Sequence, residues 1–132
     1  MIVLDASVLA NIVGDDTRIG DAARARLAEA DTAAVPDLAD VETVAVLRKR
    51  WLARTITTRR FRTAVDDLVA LPMVRYPTGP FMIRAYELRA NVTAYDATYV
   101  ALADGLACTL VTADGRLARA PAIICHVEVF TA

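Results

Sequence analysis

Two short apolar runs, each ending on an acid, constrain this chain most. Ile2-Val3-Leu4 runs directly into Asp5, and Thr109-Leu110-Val111-Thr112-Ala113 runs into Asp114. Neither run alternates apolar with polar residues, the pattern of a strand covered on both faces and hence of a parallel sheet. Just before the second run lies Tyr95-Asp96-Ala97-Thr98-Tyr99-Val100-Ala101-Leu102-Ala103, a helix almost wholly apolar but for the acid near its start. Burying a carboxylate is costly unless a cation or hydrogen-bond donors compensate it. Three acids carried on elements built for the interior therefore point to a polar site around which the rest is arranged.

The intervening chain alternates helix and strand signals. Ser7 is an N-cap for a helix through Val13 with Gly14 as its stop, and Asp16 or Thr17 opens a second helix. Ala33-Ala34-Val35-Pro36 reads as a strand stopped by proline. A long helix then runs from Asp37 to about Arg54, and another begins at Thr57 or Thr58 and ends at Pro72. Met73-Val74-Arg75-Tyr76 is a third strand. Phe81, Ala85, Leu88 and Val92 mark a further helix. Thr93 caps the helix carrying Asp96, and Gly105 ends it. Cys108 to Val111 is the fourth strand, Gly115 to Arg119 a short helical turn, and His126 to Phe130 a last strand. This alternation predicts an α/β fold, a five-stranded parallel sheet with helices on both faces, in a single domain over residues 1–132. Ligands of such sheets sit beyond the carboxyl ends of the strands, where Asp5 and Asp114 fall.

Composition excludes several classes. The chain is 56% hydrophobic and 23% charged, the balance of a folded protein. Fifteen basic and sixteen acidic residues give a net charge of −1, so no global basicity advertises nucleic acid. Any RNA contact must come from a local patch or through a metal. Cys108 and Cys125 sit in apolar segments without a C-x-x-C pair and read as small core hydrophobes. No signal peptide or membrane-spanning run is evident, and a soluble, cytoplasmic protein is expected.

The acids are individually ambiguous. Asp5 follows a strand and precedes Ser7, which is there to cap the helix, so Asp5 is left as a ligand. Asp96 fits a capping box opened by Thr93, beside the positive end of the helix dipole. Asp114 before Gly115 reads alone as a turn residue. Glu42 lies mid-helix, where exposure is the default. Gathered together, four carboxylates at roughly 4–5 Å would repel by about 3–4 kcal/mol per pair at an effective dielectric of about 20. Such a cluster stays ionised only around a divalent cation, and hard oxygen donors without Cys or a usable His select Mg²⁺ or Mn²⁺. With no phosphate-binding glycine loop in the chain, one or two ions here point to phosphodiester hydrolysis by metal-activated water. His126, in the last strand, reads as structural or surface.

The segments Val3-Leu4-Asp5-Ala6-Ser7-Val8-Leu9, Asp40-Val41-Glu42 with Val46-Leu47-Arg48, Tyr95 to Ala103, and Leu110-Val111-Thr112-Ala113-Asp114-Gly115-Arg116-Leu117 together resemble PIN-domain proteins, and specifically the VapC toxins of bacterial toxin–antitoxin pairs. The resemblance implies a three-layer PIN fold and a Mg²⁺- or Mn²⁺-dependent endoribonuclease acting on a tRNA- or rRNA-class loop. It implies that Asp5, Glu42, Asp96 and Asp114 are the catalytic and metal-binding quartet. Ser7 and Thr112 match positions that support the metal through hydroxyls. Asp40, two residues before Glu42, points to a different face of its helix. The resemblance further implies a homodimer and a small VapB-like antitoxin that blocks the site. The basic run Arg48, Arg50, Arg54, Arg59, Arg60 and Arg62 is expected to face RNA or antitoxin, with Arg84, Arg89, Arg116 and Arg119 extending it. Trp51 and Phe61 pack helices together.

Two other readings compete. A haloacid-dehalogenase-like phosphatase would carry Asp-x-Asp, and Asp5-Ala6-Ser7 lacks the second acid. A non-catalytic interaction module on the same fold would be expected to have lost one of the four acids, and all are present.

Overall fold

Five strands lie parallel in the order β3-β2-β1-β4-β5, so the first strand of the chain sits at the centre of the sheet. The computed structural model describes residues 1–131. The strands are β1 (Ile2–Leu4), β2 (Ala33–Pro36), β3 (Val74–Tyr76), β4 (Thr109–Thr112) and β5 (Val127–Val129). The unalternated runs behave as their composition requires: every residue of β1 and β2 is buried, and Val3 and Leu110, opposite one another in the β1–β4 register, are wholly so.

Among the described residues, seven helices cover the sheet: α1 (Ala6–Gly14), α2 (Arg18–Ala28), α3 (Leu38–Leu52), α4 (Thr58–Ala70), α5 (Met82–Glu87), α6 (Ala94–Leu106) and α7 (Gly115–Ala118), with a 3₁₀ turn at Gly79–Phe81. Helix α1 packs against α2, α3 and α4, while α6 lies on β1, β2 and β4 and packs against α5. The result is a three-layer α/β fold. Among the described residues, no helix is long and apolar enough to cross a membrane.

Most expected elements are present, with local corrections. Asp5, not Ser7, is the N-cap of α1: its Oδ1 accepts from the Val8 amide at 3.1 Å and from the Ser7 hydroxyl at 2.6 Å. Thr17 caps α2, Thr57 caps α4 and Thr93 caps α6. The helix expected from Phe81 through Val92 closes at Glu87; Leu88, its C-cap, and Val92 pack against the core from the turn that follows. Gly105 does not end α6. The helix runs to Leu106 and stops at Ala107, which takes a left-handed φ of 51° while its amide donates to the Asp104 carbonyl. Trp51 and Phe61 join α3 to α4 with ring centroids 6.2 Å apart, as expected. Cys108 and Cys125 are free and only half-buried, at the margin of the core. His126 is exposed.

Candidate active site

The carboxyl ends of the two central strands supply the first two acids. Asp5 follows β1 and is 8% exposed, the only buried carboxylate among the described residues. Its burial is compensated by donors. Oδ1 takes the Ser7 hydroxyl and the Val8 amide, while Oδ2 takes the hydroxyl of Thr112, the wholly buried last residue of β4. Hydrogen bonds to a buried carboxylate both hold its orientation and offset its desolvation. The Thr112 hydroxyl in turn accepts from the Asp114 amide at 3.0 Å, and Ser7 Oγ accepts from the Ala113 amide at 3.3 Å. The two supporting hydroxyls thus lock the β1–α1 junction to the β4–α7 turn.

The other two acids come from helices. Asp96 stands in the first turn of α6, its amide donating to Thr93 Oγ1 at 3.2 Å. Glu42 projects from α3 and accepts from the Tyr99 hydroxyl of α6 at 2.8 Å. Burial, with the charges of Asp96 and Asp5, pushes the Glu42 carboxyl above the ordinary range, against the pull of Tyr99. Burial, then the charges of Asp114 and Asp5, does the same to Asp96. Tyr99 itself is shifted strongly upward by burial and by Glu42, so it stays a phenol and a donor. Asp5 and Asp96 thus act on Glu42, and Asp5 and Asp114 act on Asp96.

Asp114 is held differently. Arg116 grips it with a two-pronged pair, Nε to Oδ1 at 3.1 Å and Nη2 to Oδ2 at 3.0 Å, and the Arg116 amide adds a third bond at 2.9 Å. This pairing holds its carboxyl below the usual range. Among the described residues, no three acidic, His or Cys side chains stand together as a finished metal cage. The donor set nonetheless fits a hard divalent cation by its chemistry: oxygen only, with several carboxylates, and, among the described residues, no Arg or Lys paired with Glu42 or Asp96.

Tyr99 is the residue that reading the sequence missed. Its signal was the spacing: it lies three positions after Asp96, on the same face of an otherwise apolar helix. Asp40, by contrast, is spent on Arg75 of β3 at 2.7 Å, in agreement with its expected separation from the site.

The basic run does not form one continuous surface. Arg50 donates to the Ala10 carbonyl and Asn11 Oδ1, and Arg60 to Asp16 and the Val13 carbonyl, so both are fasteners between helices. Arg62 pairs with Asp66 along α4. Arg48, Arg54 and Arg59 are exposed. None of the six lines the cleft of about 450 Å³ that holds Asp96 and Asp114.

Comparison with known proteins agrees with this architecture. The sequence matches the PIN domain over residues 2–123. Ribonuclease VapC12 of Mycobacterium tuberculosis is 40% identical over 119 residues, 90% of this chain and 91% of that protein. Two solved structures share the fold. VapC20 of Mycobacterium tuberculosis, a sarcin–ricin loop cleaving toxin, aligns with a TM-score of 0.68 at 16% identity over 94% of this chain and 97% of that one. VapBC2 from Rickettsia felis, bound to a DNA fragment from their promoter, aligns with a TM-score of 0.67 at 16% identity over 96% and 98%.

Proposed function

This chain belongs to the PIN-domain family, in its VapC group, and from that premise we propose that it is a metal-dependent endoribonuclease, the toxin of a toxin–antitoxin pair. The observation that carries the reading is that Asp5, Glu42, Asp96 and Asp114 reach one end of the sheet from two strand ends and two helices: Asp96 shares a cleft with Asp114, and the charges of Asp5 and Asp96 act on Glu42. Asp5, Glu42, Asp96 and Asp114 would hold Mg²⁺ or Mn²⁺. A divalent ion there supplies an acidified water and neutralises charge on the scissile phosphodiester.

The protein's own contribution is preorganisation. Ser7 and Thr112 fix both oxygens of Asp5, and the Tyr99 hydroxyl fixes Glu42, so these ligands need no reorganisation when substrate arrives. A phosphatase of the dehalogenase kind would need a second acid where Ser7 stands, and here that position donates a hydroxyl to Asp5. RNA as substrate is favoured by the naming of VapC12 as a ribonuclease. A VapB-like antitoxin is favoured by the VapBC2 complex. A homodimer is favoured by the exposed apolar side chains on α5, where Ile83 is 76% exposed.

The test is cleavage of total cellular RNA by the wild type and Asp96→Asn, each in Mn²⁺ or EDTA. Discrete fragments from the wild type alone, and only with metal, are expected, and end-mapping then identifies the target. Metal binding by the wild type with no cleavage of any RNA would favour a fold kept for interaction. Equal cleavage by both proteins would remove Asp96 from the site.

A further inference from the structure

The cleft beside the acids carries cations that the metal site does not need. Its walls include Arg89, Asn91, Thr93, Asp96, Asp114 and Arg116. A nucleic-acid strand approaching four carboxylates is repelled by them, and only cations at its own phosphates offset that repulsion. Arg89 is held ready. Its guanidinium lies 4.0 Å over the Tyr86 ring and donates once, from Nη1 to the Tyr86 carbonyl at 3.0 Å. A guanidinium has five N–H donors, so most of its capacity is open to an anion.

Arg116 is engaged but weakly. Its side chain is 86% exposed, and exposed ion pairs are easily exchanged for other partners. Its fork covers both oxygens of Asp114, so Arg116 and a divalent ion compete for one carboxylate.

Resting on the nuclease reading above, we propose that this cleft is a backbone-phosphate subsite for the substrate strand, formed by Arg89 and Arg116, and that Arg116 serves it by leaving Asp114 when the metal arrives. Without metal, Arg116 is the counter-ion of Asp114. Metal frees Arg116 for a phosphate, and a phosphate that draws Arg116 away opens Asp114 to metal. By linkage each ligand tightens the other by the same factor.

The experiment uses Mn²⁺ and a short single-stranded RNA whose integrity through each titration is checked on a denaturing gel. Mn²⁺ affinity is read by electron paramagnetic resonance, and RNA affinity by fluorescence anisotropy across salt concentrations. The proteins are the wild type, Arg89→Ala, Arg116→Ala and Arg18→Ala. Arg18 is exposed at the start of α2 and controls for net charge. Without RNA, Arg116→Ala is expected to bind Mn²⁺ about two- to fivefold more tightly, the range an exposed pair is worth. Arg89→Ala and Arg116→Ala are each expected to flatten the salt dependence of RNA binding by about 0.7 in log–log slope. Arg18→Ala should do neither. Unchanged or weaker Mn²⁺ binding by Arg116→Ala, or salt slopes equal to that of Arg18→Ala, overturns the subsite while the wild type still binds both ligands. A wild type that binds neither Mn²⁺ nor RNA overturns the nuclease reading along with it.

Discussion

The Thr112 hydroxyl donates to Asp5 and accepts from the Asp114 amide, so one buried oxygen couples the acids at the ends of the two central strands. Thr112→Val keeps the shape and removes that coupling. It leaves one oxygen of a buried carboxylate and one amide without partners, which costs about 1–3 kcal/mol. Chemical denaturation should show that loss. Mn²⁺ binding should weaken too, since Asp5 is no longer held.

Tyr99→Phe separates positioning from packing. The ring is buried in α6 and its hydroxyl reaches Glu42. Loss of the hydroxyl should lower the RNA-cleavage rate by about tenfold, the equivalent of about 1.4 kcal/mol of barrier. The far-ultraviolet circular dichroism spectrum should be unchanged. A rate equal to that of the wild type would make the contact merely structural.

Mn²⁺ should raise the melting temperature of the wild type, because an ion that binds only the folded state stabilises it, by about 2.7 kcal/mol at roughly 100 times its dissociation constant. Asp96→Asn should lose most of that gain in differential scanning fluorimetry. Ca²⁺, which is larger and takes more ligands, provides a comparison that tests the fit of the site.

Glu128 on β5 ties the sheet edge to α2 through a two-pronged pair with Arg26, at 2.7 and 3.1 Å. Hydrogen bonding from Arg26 holds the Glu128 carboxyl below the usual carboxylate range. A depressed acid adds stability that is present above its unfolded pKa and is lost as pH falls through the folded one. Exposure keeps the gain under about 1 kcal/mol. Melting temperatures of Glu128→Gln should lie below the wild type at neutral pH and converge with it below about pH 4. A constant gap across that range would exclude the pairing as its cause.

Local chemistry made much of this molecule legible. The unalternated runs at Ile2 and Thr109 announced strands covered on both faces, and Thr17, Thr57 and Thr93 each cap the helix that follows. What failed was choosing between roles that one residue can combine. Asp5 was freed for ligation by giving the cap to Ser7, yet a carboxylate has two oxygens. One receives the helix amide and the Ser7 hydroxyl, the other the Thr112 hydroxyl. Contacts between distant elements were also out of reach. Helical spacing puts Tyr99 on the face of Asp96 but does not say that Glu42 of α3 waits opposite. The division within the basic run was out of reach for the same reason. Arg50 and Arg60 look like their exposed neighbours until the carbonyls at the end of α1 come within reach. Helix α5 ended early because Leu88 and Val92 keep an apolar spacing that a packed turn satisfies as well as a helix.

The pairing of β1 with β4 has a consequence for the birth of the protein. Asp5 is made 107 positions before its partner Thr112. A nascent chain that still lacks β4 has no sheet neighbour on that side of β1 and no second strand end to hold Asp5. Contacts so remote in sequence form late, after the entropy of closing the loop has been met. The strand ends that hold Asp5 therefore come together only once β4 has been made and has docked beside β1.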